Sequence, residues 1–148
     1  MILLFTLLVM AAVLFLALVL LGIYQGMNHS ARLLMDAQAA DLAAQSGLRE
    51  AASRLREDPD WTTGFDREPL AGGATFSVTF APDSDWRSTN NARGSVAVTG
   101  ADERTVPASH IHVVCVATCG WTTRRQEAFI QRYDNEDGQQ AIFIRERW

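Results

Sequence analysis

The side chains that could do chemistry are few in this chain, and most fall in its C-terminal third. His110 and His112 stand two apart, so on a strand both point to one face and offer two imidazoles to a metal. No third ligand accompanies them, because Cys115 falls on the opposite face of a regular strand. The pair therefore reads as polar-face histidines rather than as a metal site. Cys115 and Cys119 are four apart. In one extended strand their Cα atoms would lie about 13 Å from each other, whereas a disulfide needs about 4.4–6.8 Å. A bond between them requires a turn, which Cys119-Gly120 supplies only in part. Two free thiols are in turn uncommon in an oxidising compartment, so the sequence leaves this candidate disulfide open. The spacing excludes a redox C-x-x-C motif.

Asp134-Asn135-Glu136-Asp137-Gly138 gathers oxygen ligands of the kind calcium takes, but without the alternating ligand positions and distant glutamate of an EF-hand loop. An acidic hairpin turn is the better reading. Asn28-His29-Ser30 matches a glycosylation sequon by chance, on a predicted helix. Ser109 and His110 are adjacent, and adjacent strand residues face apart, so they make no nucleophile–base pair. Hydrolase, zinc, phosphate-loop and dinucleotide motifs are all missing. The expectation is a protein that is not an enzyme and takes no cofactor or metal. With 13 basic residues, all Arg, against 17 acidic ones, the net charge of −4 does not favour a nucleic-acid partner.

The elements that carry these residues begin with a long apolar segment. Met1 to Ile23 contains sixteen Leu, Ile, Val or Phe residues, and the first formal charge is Arg32. Such a segment crosses a hydrocarbon core of about 30 Å and favours the bilayer by about 5–8 kcal/mol. A cleaved signal peptide would carry a basic start, a shorter apolar run and a small-residue cleavage site directly after it, none of which is present at Met1–Ile23.

Beyond the span the helical pattern continues. Leu33, Ala37, Ala40, Ala44, Leu48, Ala51 and Leu55 recur at three- and four-residue steps, with charged residues between them. The spacing predicts one helix from about Ile2 to about Glu57, stopped by Asp58-Pro59-Asp60, with Gly22 and Gly26 marking the place for a bend or melted stretch. After Trp61 the period becomes two. Strands are expected at Ala74–Phe80, Gly94–Thr99, His110–Thr118, Arg124–Tyr133 and Gln140–Trp148, with a turn at Cys119-Gly120-Trp121. The fold class is α+β, a long N-terminal helix packed on an antiparallel meander. Its parts are a transmembrane helix over residues 1–28, an amphipathic continuation over 29–58 and an antiparallel β-domain over 59–148.

This layout resembles a type IV pilin-like protein, a minor pilin or pseudopilin. Met1-Ile-Leu-Leu-Phe-Thr-Leu-Leu-Val-Met resembles the apolar start of a mature pilin. Asp41-Leu-Ala-Ala-Gln-Ser-Gly-Leu-Arg-Glu-Ala-Ala-Ser-Arg-Leu resembles the A-x-x-A-G-L-x-x-A-x-x-x-L helix of minor pilins. Asp58-Pro-Asp-Trp-Thr-Thr-Gly-Phe with the Gly72-Gly73 strand resembles the segment after that helix in minor pilins. The hairpin around Thr118-Cys-Gly-Trp-Thr-Thr-Arg-Arg resembles their late hairpin. The resemblance implies a structural subunit of a type IV pilus or type II secretion-like filament. Met1 would be its processed, methylated N-terminus. Its partners would be the prepilin peptidase, an inner-membrane assembly platform and other pilin-like subunits. Phe5, Ala11, Ala12, Ala17 and Gly22 would pack in the filament core, where small residues permit close helix approach. The place would be the bacterial inner membrane, single-pass with the C-terminal domain extracytoplasmic, and the surface filament. Some pseudopilins also bind calcium near the region of Asp134–Gly138.

Two departures qualify that picture. Pilins usually carry Glu at the fifth mature position, where this chain has Phe5, which points to a tip or priming role. The basic leader cut by the peptidase is not part of this sequence; it would also decide orientation, since Arg32 alone favours the opposite topology. The alternative is a bitopic membrane-anchored binding module that does not polymerise.

Overall fold

The computed structural model describes residues 2–100, 103–134 and 140–146, with residues 133, 134 and 140–146 described through their backbone alone. Helix α1 runs from Ile2 to Glu57 without interruption, so the expected melted stretch at Gly22 and Gly26 does not occur. The chain divides into two compact units, Met1–Met35 and Asp36–Trp148. In the first, every described residue is exposed. This is the one helix among the described residues long and apolar enough to cross a membrane.

The second unit is a helix on an antiparallel sheet. Ala40, Ala43, Ala44, Gly47, Leu48, Ala51, Ala52 and Leu55 are buried, a stripe repeating every three or four residues. Most of these side chains are a methyl group or less, which lets the helix backbone approach the sheet closely. The larger groups come from the sheet side: Phe76, Val78, Ile111, Val113 and Ile130. Of the face expected from spacing, Ala40, Ala44, Leu48, Ala51 and Leu55 are buried, while Leu33 is exposed and Ala37 only half-buried. The helix stops where proline requires it. Asp58 N still donates to Arg54 O (2.8 Å), then Asp60 N turns back onto Asp58 Oδ1 (3.0 Å). Glu50 and Arg54 form the expected i, i+4 pair at 3.8 Å on the wet side.

The strands are β1 (Phe65–Pro69), β2 (Thr75–Val78), β3 (Thr89–Asn91), β4 (Val98–Thr99), β5 (Thr105–Val106), β6 (His110–Cys119), β7 (Thr122–Asp134) and β8 (Gln140–Glu146). The main sheet orders β1-β2-β6-β7-β8, with β3 also paired to β6; β4 and β5 form a separate two-stranded ribbon. All the ladders are antiparallel. The expected meander is thus corrected in one respect: β2 lies beside β6, and the intervening chain leaves the sheet and returns. Along one edge of β6, β2 pairs with Cys115–Thr118 and β3 with His110–His112. Between these two ladders Val114 N donates to Ser88 Oγ (2.9 Å), which closes the gap.

Gly94–Thr99 does not form the expected six-residue strand. Only Val98–Thr99 pairs, and Val96 is 72 % exposed. Asn91 is the reason. Its buried amide Nδ2 donates to Val96 O (3.0 Å), Val106 O (3.1 Å) and Pro107 O (2.9 Å), drawing the backbone of this segment into a loop. Strand β1 was not expected, since Phe-Asp-Arg-Glu-Pro lacks alternation. It starts at Gly64 (φ 74°), where any Cβ would collide with the Val78 carbonyl. A bulge between Phe65 and Glu68, Arg67 in the left-handed region (φ 49°) and Pro69 then blunt this edge.

An aromatic row seals the C-terminal end of the helix. Trp61 meets Phe65 and Phe80 with ring centroids 5.0 and 5.5 Å apart, and Phe65 meets Phe76 at 5.7 Å. Asn90 Nδ2 fixes this corner by donating to Pro59 O (2.9 Å) and Trp61 O (3.1 Å).

Candidate functional site

Two regions hold the side chains of interest. The first is the apolar half of α1. Phe5, Ala11, Ala12, Ala17 and Gly22 all lie on it, exposed. Helical geometry sorts them into different directions. Ala11 and Gly22 are eleven residues apart, about three turns, and share a face; Phe5 and Ala12, seven apart, share another; Ala17 lies off both. They do not form one stripe. Gly22 and Gly26, one turn apart, have no neighbouring atom within 4 Å of a Cβ built on either, and together they leave backbone bare along one face. Met1 lies outside the described residues.

The second region is the sheet face away from the helix. Strand register places His110, His112, Val114 and Val116 on it, with Arg125, Glu127 and Phe129 from β7. The two histidines do share a face, as expected, and Cys115 does lie on the other. His112 is nevertheless not a wet polar-face residue: it is 1 % exposed. Its ring stacks on Phe129 (centroids 4.7 Å apart) and its Nε2 lies 3.2 Å from Glu127 Oε2.

Glu127 is the centre of this cluster. Its mostly buried carboxylate also receives Arg104 Nη1 on Oε2 and Arg125 Nη2 on Oε1, the latter at 2.8 Å. Trp86 caps the Arg125 guanidinium at 4.2 Å. Arg104 and Trp86 come from the excursion between β2 and β6, so a single carboxylate ties that excursion to the sheet. Partly buried charge pairs of this kind fix position more than they add stability. The carboxylate is occupied by cations on both oxygens, and nothing in the cluster presents a nucleophile. His110 turns aside, its Nδ1 2.7 Å from Ala108 O, and Ser109 (φ 59°) gives its backbone N to Gly94 O (3.3 Å).

The cysteines are free thiols, both buried on the helix side of β6. Cys115 pairs with Gln126 and Cys119 with Thr122 in an unbroken ladder, so the strand stays extended between them and holds them too far apart to bond. The turn comes after both: Gly120 (φ 55°) and Trp121 form the two-residue loop. Burial pushes the Cys115 thiol up to about 12. Cys119 Sγ lies 3.9 Å from Asp36 Oδ1, and Arg124 Nε lies 3.4 Å from Asp41 Oδ1, two further links between helix and hairpin.

A shallow, open groove is lined by Thr62, Phe80, Arg87, Ser88, Thr89 and Asn90, but Arg87 Nη1 is turned to Pro82 O (2.8 Å) and Asn90 to the helix corner. No group of three metal-ligating side chains occurs among the described residues. Most of the acidic turn at Asp134–Gly138 lies outside them. Sequence reasoning missed the Glu127 cluster because its members are scattered over residues 86–129, and only the excursion brings them together. Comparisons with protein-family models, curated proteins and solved structures return no match to this chain.

Proposed function

We propose that this chain is a non-enzymatic structural subunit, a minor pilin or pseudopilin of a type IV pilus or type II secretion-like filament. The observation that carries the reading is the single helix α1 with two kinds of surface. Ile2–Met35 is exposed all round and apolar through Ile23, and Ala40–Leu55 lies on an antiparallel sheet through mostly small side chains. In this reading the first part is stored in the bacterial inner membrane as a single span, and the β-domain is extracytoplasmic. Assembly moves the helix from lipid into a bundle of sister helices, where the bare backbone at Gly22 and Gly26 allows close approach. The mechanism is packing, with no covalent step of its own. Phe5 supplies no carboxylate to a neighbour's N-terminal amine, which suits a low-copy tip or priming position. The partners are pilin-like subunits, the prepilin peptidase and the assembly platform.

The test is mass spectrometry of the native N-terminus in membranes and in sheared surface filaments. A methylated Met1 recovered from filaments supports the reading. An unmodified Met1 confined to membranes overturns it and leaves a bitopic anchored binding module.

A further inference from the structure

Trp121 is 97 % exposed, the most exposed large apolar side chain described in the chain. An indole held in water at the tip of a tight turn contributes nothing to the core and gives up a large apolar surface. Gly120, in the left-handed region at the first loop position, sets the turn that holds it there.

The hairpin tip has a defined place in the β-domain. Gly47 lies against Cys115, and eleven residues earlier on the helix Asp36 lies against Cys119 and Gly120. The β6–β7 hairpin therefore runs alongside α1 towards the helix residues that come first in sequence. Its tip stands at Asp36, the first residue of the domain. The preceding chain carries no Asp, Glu, Lys or Arg before Arg32. Thirty helical residues, Ile2 to Ala31, cover about 45 Å, the thickness of a whole bilayer with its headgroups. Arg32 is thus the first formal charge after the span, and it precedes Asp36 by four residues in sequence.

We infer that Trp121 docks in the interfacial layer of the membrane that the chain's own helix spans, so that the β6–β7 tip rests on lipid headgroups. Tryptophan suits that layer, where the ring is apolar and the indole N–H meets polar headgroups. The docking rests on the reading of Ile2–Met35 as a membrane span.

The full chain and its Trp121→Phe variant are reconstituted in phosphatidylcholine vesicles, with and without bromine at shallow acyl positions. Resistance to alkaline extraction is scored on the same samples. The expected result is extraction-resistant protein whose emission is quenched by brominated lipid, with that quenched component lost in Trp121→Phe. Equal quenching in both proteins, or none, in extraction-resistant samples overturns the docking while leaving the span intact. A Trp121 emission shift that tracks protein density and ignores bromine also overturns it, in favour of contact with a second copy. Protein released by alkali overturns the span reading, and the docking with it.

Discussion

Gly47 and Cys115 are in direct apposition: a Cβ added to Gly47 would come within 2.5 Å of the Cys115 sulfur and 2.6 Å of the Phe76 ring. The contact shows what the small-residue face of the helix does. By propensity alone, Gly47 weakens a helix by up to about 1 kcal/mol relative to Ala. In the fold its missing side chain leaves room for the Cys115 sulfur and the Phe76 ring against the helix.

Gly47→Ala should therefore destabilise the domain despite its better helix propensity. Overpacking costs about 1–3 kcal/mol against a propensity gain of about 0.5–1 kcal/mol. The urea midpoint of the detergent-solubilised chain should fall, and Cys115→Ala in the same background should restore part of it. Gly26→Ala, with nothing within 4 Å of the added atom, serves as the control and should not lower that midpoint.

Cys115 should resist alkylation in the folded protein at pH 8 and react at full rate in denaturant. Its folded thiol pKa is raised to about 12 from 9.0 by burial. The folded state thus holds the proton that the unfolded state releases. This group's contribution to stability is therefore fully present below pH 9 and is lost as pH rises towards 12. Alkaline unfolding curves of the wild type and Cys115→Ala should diverge only above about pH 9. An intact mass under non-reducing conditions should show both thiols free; a loss of two hydrogens would contradict the extended β6.

Glu127→Ala should be among the costlier substitutions outside the hydrophobic core. It removes the carboxylate that His112 and the Arg125 guanidinium share, and loss of one member of a buried pair costs about 3–5 kcal/mol. The exposure of Arg104 lowers that figure, so about 2–3 kcal/mol is expected from urea denaturation. Replacing His112 as well should cost less than the sum of the two single changes, because the two side chains share one network.

Asn91→Ala should act locally. Three carbonyls lose their shared donor, each loss worth about 1 kcal/mol where water does not replace it. Hydrogen exchange should accelerate across residues 94–107 while β6 and β7 keep their protection. Global loss of protection would mean that the excursion is part of the core.

Much of the helix was legible from residue spacing, because a 3.6-residue period survives whatever the helix packs against. Its end was legible in Asp58-Pro59. The full breadth of the buried face was not: Ala43, Gly47 and Ala52 carry too little side chain to register as a hydrophobic pattern, and their role depends on the large residues that β2, β6 and β7 present. Strands Thr75–Val78, His110–Cys119 and Thr122–Asp134 were visible as alternation or β-branched runs. Phe65–Pro69 was invisible, since its pairing comes from Gly64 and the neighbouring strand rather than from its own composition. Val96 and Val98 misled for the converse reason: they alternate, but Asn91 diverts their backbone. The Glu127 cluster was hidden because nothing in Thr122–Glu127 itself announces the partners that Trp86 and Arg104 bring to it through the excursion.

The alanine face also sets an order of events during synthesis. Residues 40–55 emerge early, yet the strand they rest on ends at Cys119, about sixty residues after Leu55. At about 5–20 residues per second the ribosome needs about 3–12 s to deliver it. Through that interval the helix has mostly methyl groups to bury, with Leu48 and Leu55, and lacks the central strand they rest on, while the preceding segment is already apolar enough to enter lipid. On the reading of that segment as a membrane span, the nascent chain is tethered before it is folded, and the return of β6 to the helix takes place at the bilayer.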